Sequence, residues 1–254
     1  SDVCSSDLLP GMFALSAHSL EERIASDVVL GRMPDMQRPA GIVAVVDTTH
    51  LYQGLYLVQQ LMELELPLMV ALTMTDAAEA SGIRIDIDAL QRRLGGISVC
   101  PVVATTGQGM DALRAALAKL PEAAKPVLPT FWEELQAASE ELARDLPATV
   151  PRVEIERALI DVHSELADEV AAYLGEGGAQ RLDEIRQRIF GSSPPLANEA
   201  RHRYAWVRDV LKEVQQSAPA ITTWGSRIAR FTNRPVPGTI GLFVVMAIVF
   251  QAVF

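Results

Sequence analysis

Several things are scarce in this sequence. Cysteine occurs twice, as Cys4 and Cys100, and histidine four times, as His18, His50, His163 and His202. Neither set is spaced as a zinc site, and two scattered cysteines make no disulfide framework, so a reducing setting is the plain reading. Cys100 sits in an apolar run and reads as a buried, inert thiol. Basic residues are outnumbered, with 22 Lys and Arg against 32 Asp and Glu and a formal net charge of -10. An acidic chain repels a phosphate backbone, which argues against nucleic acid as a partner. A single bound nucleotide stays open, because backbone N–H groups can hold its phosphates whatever the net charge. An initiator Met and a signal-peptide pattern are missing from the start. Residues 1–8 have no periodicity and are expected to be a non-native scar. What the chain does have is apolar material, 49% against 21% charged. That suffices for a real core and is too much for a disordered chain.

Three regions differ in pattern. From residue 9 to about 125, short apolar runs alternate with amphipathic stretches. Gly41–Asp47, Pro67–Leu72 and Ile97–Val103 are continuous apolar runs, which suit strands buried on both faces of a parallel sheet. Leu51, Leu55, Val58, Leu61 and Met62 recur at helix spacing, as do Leu113, Leu117 and Leu120. Strand–helix alternation predicts an α/β fold, whose ligands bind beyond the carboxyl ends of the strands. Residues 126–216 show no strand-like run and predict an all-α bundle. Ile155, Leu159, Val162, Leu166, Val170 and Tyr173 form one helical stripe there, with Glu154, Glu156, Glu165, Asp168 and Glu169 on a solvated face. Gly175–Gly178 breaks the pattern, and a last helix carries Tyr204, Val207, Leu211 and Val214. Residues 217–234 form a basic connector with Arg227, Arg230 and Arg234. Residues 235–254 run to the end without a charge and without a polar face. This predicts the start of a transmembrane helix, against the alternative of a buried core helix. The preceding arginines predict that the rest of the chain stays on the cytoplasmic side.

Four places could carry chemistry. Asp7 lies before Pro10-Gly11, near the Asp-x-x-Gly spacing by which a GTPase holds Mg2+ and senses the γ-phosphate, but one residue too far. Thr73-Met74-Thr75-Asp76 follows the second strand. GTPases carry Asn-Lys-x-Asp there, and the Asp accepts hydrogen bonds from the guanine N1–H and exocyclic amine, a donor pair that adenine lacks. Two roles fit Asp76, this one and a helix N-cap before Ala77. Ala104-Thr105-Thr106-Gly107 ends the third strand, where GTPases pack backbone groups on the base, and a plain strand-to-helix turn is the alternative. Asp47 ends the first strand and reads as a cap for the helix opening near Leu51.

Together and in this order, these stretches resemble the ferrous iron transport protein B (FeoB) family. Leu9–Glu22 resembles its second-switch stretch. Val45–Leu51, Ala71–Glu79, Gly82–Leu90 and Thr106–Leu113 follow its next strand, guanine motif and later elements. Arg234–Gly238 and Val249–Phe254 resemble its first membrane helix. The resemblance implies a truncated P-loop GTPase-like parallel sheet over 9–125, an all-α helical domain that tunes nucleotide release over 126–216, and a C-terminal transmembrane helix. It implies a nucleotide site at Gly11, Thr73, Met74, Asp76, Ala104, Thr105 and Thr106, with Asp7 toward the metal and GTP or GDP with Mg2+ as ligands. It further implies Fe2+ as transported ion, small Feo accessory proteins and the lipid bilayer as partners, and a bacterial inner-membrane location. The alternatives are a membrane-tethered regulatory GTPase and a degenerate interaction module. The sequence departs from the family in lacking the Gly-x-x-x-x-Gly-Lys-Ser/Thr phosphate loop and in having Thr73 where Asn stands. By itself this polypeptide is expected neither to turn over GTP well nor to transport iron.

Overall fold

The computed structural model describes residues 8–12, 20–29, 31, 33, 39–217, 239, 243, 246, 247 and 249–251. Residues 1–7 of the scar expected over 1–8, Asp7 among them, most of the connector and most of the apolar C-terminal run lie outside the described residues. Among those described, no helix is long and apolar enough to cross a membrane.

A parallel sheet forms the centre of the first half. Its strands are β1 (Ile42–Asp47), β2 (Leu68–Thr73) and β4 (Ser98–Pro101), in the order β1-β2-β4. These are the three apolar runs of the sequence. Every residue of β2 before Thr73 is buried, as a central strand covered on both faces requires. Helices make the connections that parallel pairing demands. Helix α1 (Leu20–Val29) precedes β1, and α2 (Leu51–Met62) joins β1 to β2. Between β2 and β4 lie α3 (Thr75–Ala80), a short strand β3 (Ile83–Ile85) and α4 (Ile87–Arg93), which Asp86 caps through its side chain to the Ala89 N–H. Helix α5 (Met110–Lys119) follows β4. Helix α2 lies close on β1. A Cβ built on Gly54 would stand 2.3 Å from Val46 Cγ1, so only glycine permits this approach.

The second half is helical: α6 (Glu133–Ala143), α7 (Arg152–Ile160), α8 (Glu165–Tyr173), α9 (Gly178–Phe190) and α10 (Pro195–Val214). Two apolar cores result. Leu135, Leu142, Ile155, Leu159, Val170, Leu182 and Ile185 close the second. At about 1.5–3 kcal/mol for each fully buried large apolar side chain, each core opposes a large ordering cost.

Three differences from the sequence reading have physical causes. The stripe from Ile155 to Tyr173 is two helices, because Ser164 accepts a hydrogen bond from the Ala167 N–H and starts α8 afresh. Val162 therefore falls in the break and Tyr173 faces solvent. The region is also not wholly helical. Gln215–Ser217 forms strand β5, paired antiparallel with β3 through Ile83↔Ser217, Arg84↔Gln216 and Ile85↔Gln215. Three polar residues carry no strand signal, and the pairing comes from where α10 delivers them. Finally, α10 does not pack only with its helical neighbours. Val207, Val210 and Val214, spaced three and four apart, and the adjacent Trp206 join the core of the sheet with Leu55, Val58 and Leu90.

Candidate functional site

The parallel register brings Asp47 opposite Thr73 and Leu72 opposite Pro101. The turns after β1, β2 and β4 therefore leave the sheet at one edge, the carboxyl end where open α/β sheets bind ligands.

After β2 the chain turns sharply. Met74 holds a left-handed conformation with φ 57° and stands in the N-cap position of α3 without a side-chain cap. The cap reading of Asp76 is thereby corrected: Asp76 is the second residue of the helix, not the residue before it. Its carboxylate is exposed and makes no hydrogen bond or ion pair to another described residue. Met74 is exposed and Thr73 half-buried. The Thr73 hydroxyl points inward, donating to the Val46 carbonyl at 3.1 Å. The Thr48 hydroxyl donates to the Thr73 carbonyl at 2.5 Å.

After β4 the chain makes a tight exposed loop. Ala104, Thr105, Thr106 and Gly107 all face solvent. The loop closes on itself where the Val103 N–H donates to the Gln108 carbonyl at 3.0 Å and the Gly107 N–H to the Val103 carbonyl at 2.9 Å. Gly109 then starts α5 with φ 80°, and its Cα lies so close to the Pro101 carbonyl that a Cβ would stand 2.1 Å from the oxygen. The loop is thus held at the neighbouring strand end to Asp76, with residues 104–106 exposed to solvent.

At the end of β1, Asp47 caps the turn Thr48–His50, accepting from the Thr49 N–H and hydroxyl at 2.7 Å each. His50 Nδ1 stands 3.1 Å from the other carboxylate oxygen. Burial works against this carboxylate, but the hydrogen bonds from Thr49 and His50 outweigh it and hold the carboxyl below its usual range. Asp47 thus caps this short turn and not, as expected, the helix opening at Leu51, because the turn intervenes and leaves His50 in the N-cap position of α2 without a side-chain cap. Gly11 lies in exposed coil with open space around it, two residues after Leu9, which packs on the sheet's core. Among the described residues no group of three or more His, Cys, Asp or Glu could hold a metal ion.

Sequence reasoning missed Thr48, which is buried although it ends in a hydroxyl. Nothing in Thr48-Thr49 distinguishes the residue that reaches the next strand from the one that serves the local cap. It also missed a charge cluster in which buried Glu199 and Arg203 meet half-buried Glu63 and Arg157. A cavity of about 390 Å³ lined by Met69, Ile97, Lys119 and Leu120 lies at the opposite, amino end of β2 and β4.

Comparison with known proteins gives a consistent picture. A family profile described as ferrous iron transport protein B matches residues 3–117. The Fe(2+) transporter FeoB of Escherichia coli (strain K12) is 33% identical over 244 residues, covering 90% of this chain and 30% of the relative. The Salmonella typhimurium (strain LT2) transporter of the same name is 32% identical over 240 residues, covering 89% of this chain and 28% of the relative. The chain thus spans less than a third of the length of these curated relatives. Among solved structures, a GDP-bound S. thermophilus NFeoB mutant superposes with a TM-score of 0.67 at 27% identity, covering 82% of this chain and 80% of that one. The cytosolic domain of the T. maritima FeoB iron transporter in its GMPPNP form gives 0.61 at 23% identity, covering 82% and 79%, and shows the shared fold.

Proposed function

The chain belongs to the ferrous iron transport protein B family, and from that premise we propose that it is the guanine-nucleotide-reading part of a ferrous iron transporter, in which a GTPase cycle gates or drives Fe2+ uptake. The observation that carries this reading is Asp76: an exposed carboxylate without a partner among the described residues, at the carboxyl end of a central strand, with the exposed residues 104–106 at the next strand end. A carboxylate there accepts from two donors on the Watson–Crick edge of guanine, while Ala104, Thr105 and Thr106 lie along the base and Thr73 and Met74 shape the turn. A base that lacks one of the two donors leaves part of that carboxylate without its hydrogen bond, which is what discriminates against it. Gly11, toward the γ-phosphate, and Mg2+, toward Asp7, belong to the phosphate end of the same reading. There the γ-phosphate would order switch segments and hydrolysis would release them. The domain division at 125, 216 and 234, the helical part as a tuner of nucleotide release, the membrane helix from 235, the inner-membrane location and the accessory partners are parts of the same proposal. One observation favours the degenerate-module alternative: the Thr73 side chain is committed to Val46 and offers a ligand nothing.

The test is a titration of the 15N-labelled chain with GDP, IDP and ADP, read at backbone amides. GDP is expected to shift Met74–Ala78 and Ala104–Gly107. IDP, lacking the exocyclic amine, is expected to do so more weakly and ADP not at all, and Asp76→Ala is expected to abolish the difference. Equal responses to all three nucleotides would sink the reading in favour of the module.

A further inference from the structure

We propose that Thr48 is a positioning residue for the guanine-reading turn, clasping it through a hydrogen bond to the Thr73 carbonyl while the Thr73 hydroxyl bonds back to Val46; this rests on the reading of Asp76 above. Thr48 is only 4% exposed. A buried hydroxyl is costly unless it is hydrogen-bonded, and it has one proton to give. That proton goes to the Thr73 carbonyl at 2.5 Å, across to the neighbouring strand, rather than to its own turn. The Thr73 hydroxyl returns the bond to the Val46 carbonyl at 3.1 Å.

The position of the clasp matters. Pairing of β1 with β2 ends at Asp47↔Thr73. The next residue, Met74, must hold φ 57°, a conformation that opposes a side chain with a Cβ. The reading carboxylate comes two residues later. The strand ladder thus runs out just before the strained residue; the Thr48 hydroxyl extends the hold by one step, and the Thr73 hydroxyl ties the last pair back to Val46. Two-donor recognition needs well-aligned hydrogen bonds, so a turn free to relax about Met74 would lose the alignment. The clasp also explains the threonine at 73. Its side chain serves the strand ends and not the ligand, so the residue at 73 needs a short donor reaching back to β1.

The experiment compares Thr48→Val, which keeps the shape and removes the donor, with Thr48→Ser, which keeps the donor, in the full 254-residue chain. Thr73→Val, which removes only the returning bond, is the second variant. Two readouts are taken: preference for GDP over IDP by amide titration, and hydrogen exchange along the chain. Thr48→Val is expected to cut the preference about tenfold, the equivalent of roughly one hydrogen bond, and to speed exchange at Met74–Ala78 alone. Thr48→Ser is expected to restore both, and Thr73→Val to show a smaller effect of the same kind. Unchanged preference and exchange in Thr48→Val would overturn the clasp. So would exchange speeded throughout β1, β2 and β4, which marks general destabilisation. If the wild-type chain shows no preference for GDP, the reading of Asp76 fails, and the clasp is decided by whether exchange rises locally in Thr48→Val and not in Thr48→Ser.

Discussion

Arg203 on α10 reaches Glu63, at the end of α2, with 2.6 Å between guanidinium nitrogen and carboxylate oxygen, and its side chain is 1% exposed. The pair belongs to a closed ring. Arg203 also pairs with Glu199, and Arg157 on α7 bridges Glu199 at 2.9 Å and Glu63 at 2.7 Å. The ring therefore joins the helix leaving β1 to one helix of the bundle and to the helix that shares both regions. Phe131, in the segment before α6, lies under the Arg203 guanidinium at 4.6 Å. Two acids and two bases in alternation cancel one another, which is how buried charges are tolerated.

Breaking the ring on one side is expected to cost more than removing a whole pair. Arg203→Met leaves two carboxylates facing one guanidinium, and the expected loss is about 3–5 kcal/mol. Adding Glu63→Leu leaves the balanced pair Arg157–Glu199, so the double variant is expected to recover at least about 1 kcal/mol. Urea unfolding of the two single variants and the double closes the cycle. Additive losses would mean that the ring is four independent contacts.

Glu156 and Glu199 are expected to give opposite pH dependences. Burial is the largest influence on both. It prevails at Glu156, where Glu63 adds repulsion and Arg152 at 3.1 Å only partly offsets it, so the carboxyl is held above its usual range. At Glu199, Arg157 and Arg203 together outweigh burial and hold the carboxyl below it. A raised folded pKa means that the Glu156 contribution is full below the unfolded value of about 4.3 and is lost as pH rises through the folded value. A depressed one means that the Glu199 contribution is full above about 4.3 and is lost as pH falls through the folded value. Glu156→Gln is therefore expected to match wild type at about pH 4 and to exceed it at about pH 7. Urea midpoints at the two pH values test this. An equal change at both would show that the Glu156 carboxyl is not held above its usual range.

The sheet was legible because its strands are continuous apolar runs, and Val70 and Leu72 have few other ways to be buried. The proposed guanine-reading loops were placed through order: a strand, then Asp76, then a further strand and the 104–107 loop. What stayed hidden is what depends on side-chain direction or on long-range placement. Thr48 and Thr49 are adjacent and chemically alike, yet one reaches Thr73 and the other Asp47. Arg203 reads as a polar position on an amphipathic helix, and only the arrival of Glu63 140 residues earlier in sequence makes it buriable. Gln215–Ser217 became a strand because β3 had a free edge where α10 ends. The domain assignment of α10 followed its place after the bundle, whereas its apolar face is used by the sheet.

Two glycines of the loop after β4 share a left-handed backbone and differ in surroundings, which separates backbone strain from steric contact. Gly107 has φ 77° and nothing within 4 Å of a built Cβ. Gly109 has φ 80° and the Pro101 carbonyl oxygen 2.1 Å from it. Alanine at either position bears the left-handed penalty of about 1–2 kcal/mol. At 109 it must also push against a backbone atom of β4, which cannot rotate away as a side chain could. Gly107→Ala is therefore expected to cost about 1 kcal/mol and to leave the fold of the loop intact. Gly109→Ala is expected to cost clearly more, to shift α5 away from Pro101, and to loosen the Val103–Gln108 closure that holds 104–106 at the strand end. Urea unfolding gives the two costs, and hydrogen exchange at Val103 and Gly107 reports the closure. Equal costs at the two positions would mean that the approach of Gly109 to Pro101 is not a constraint, and that the loop owes its place to its own turn alone.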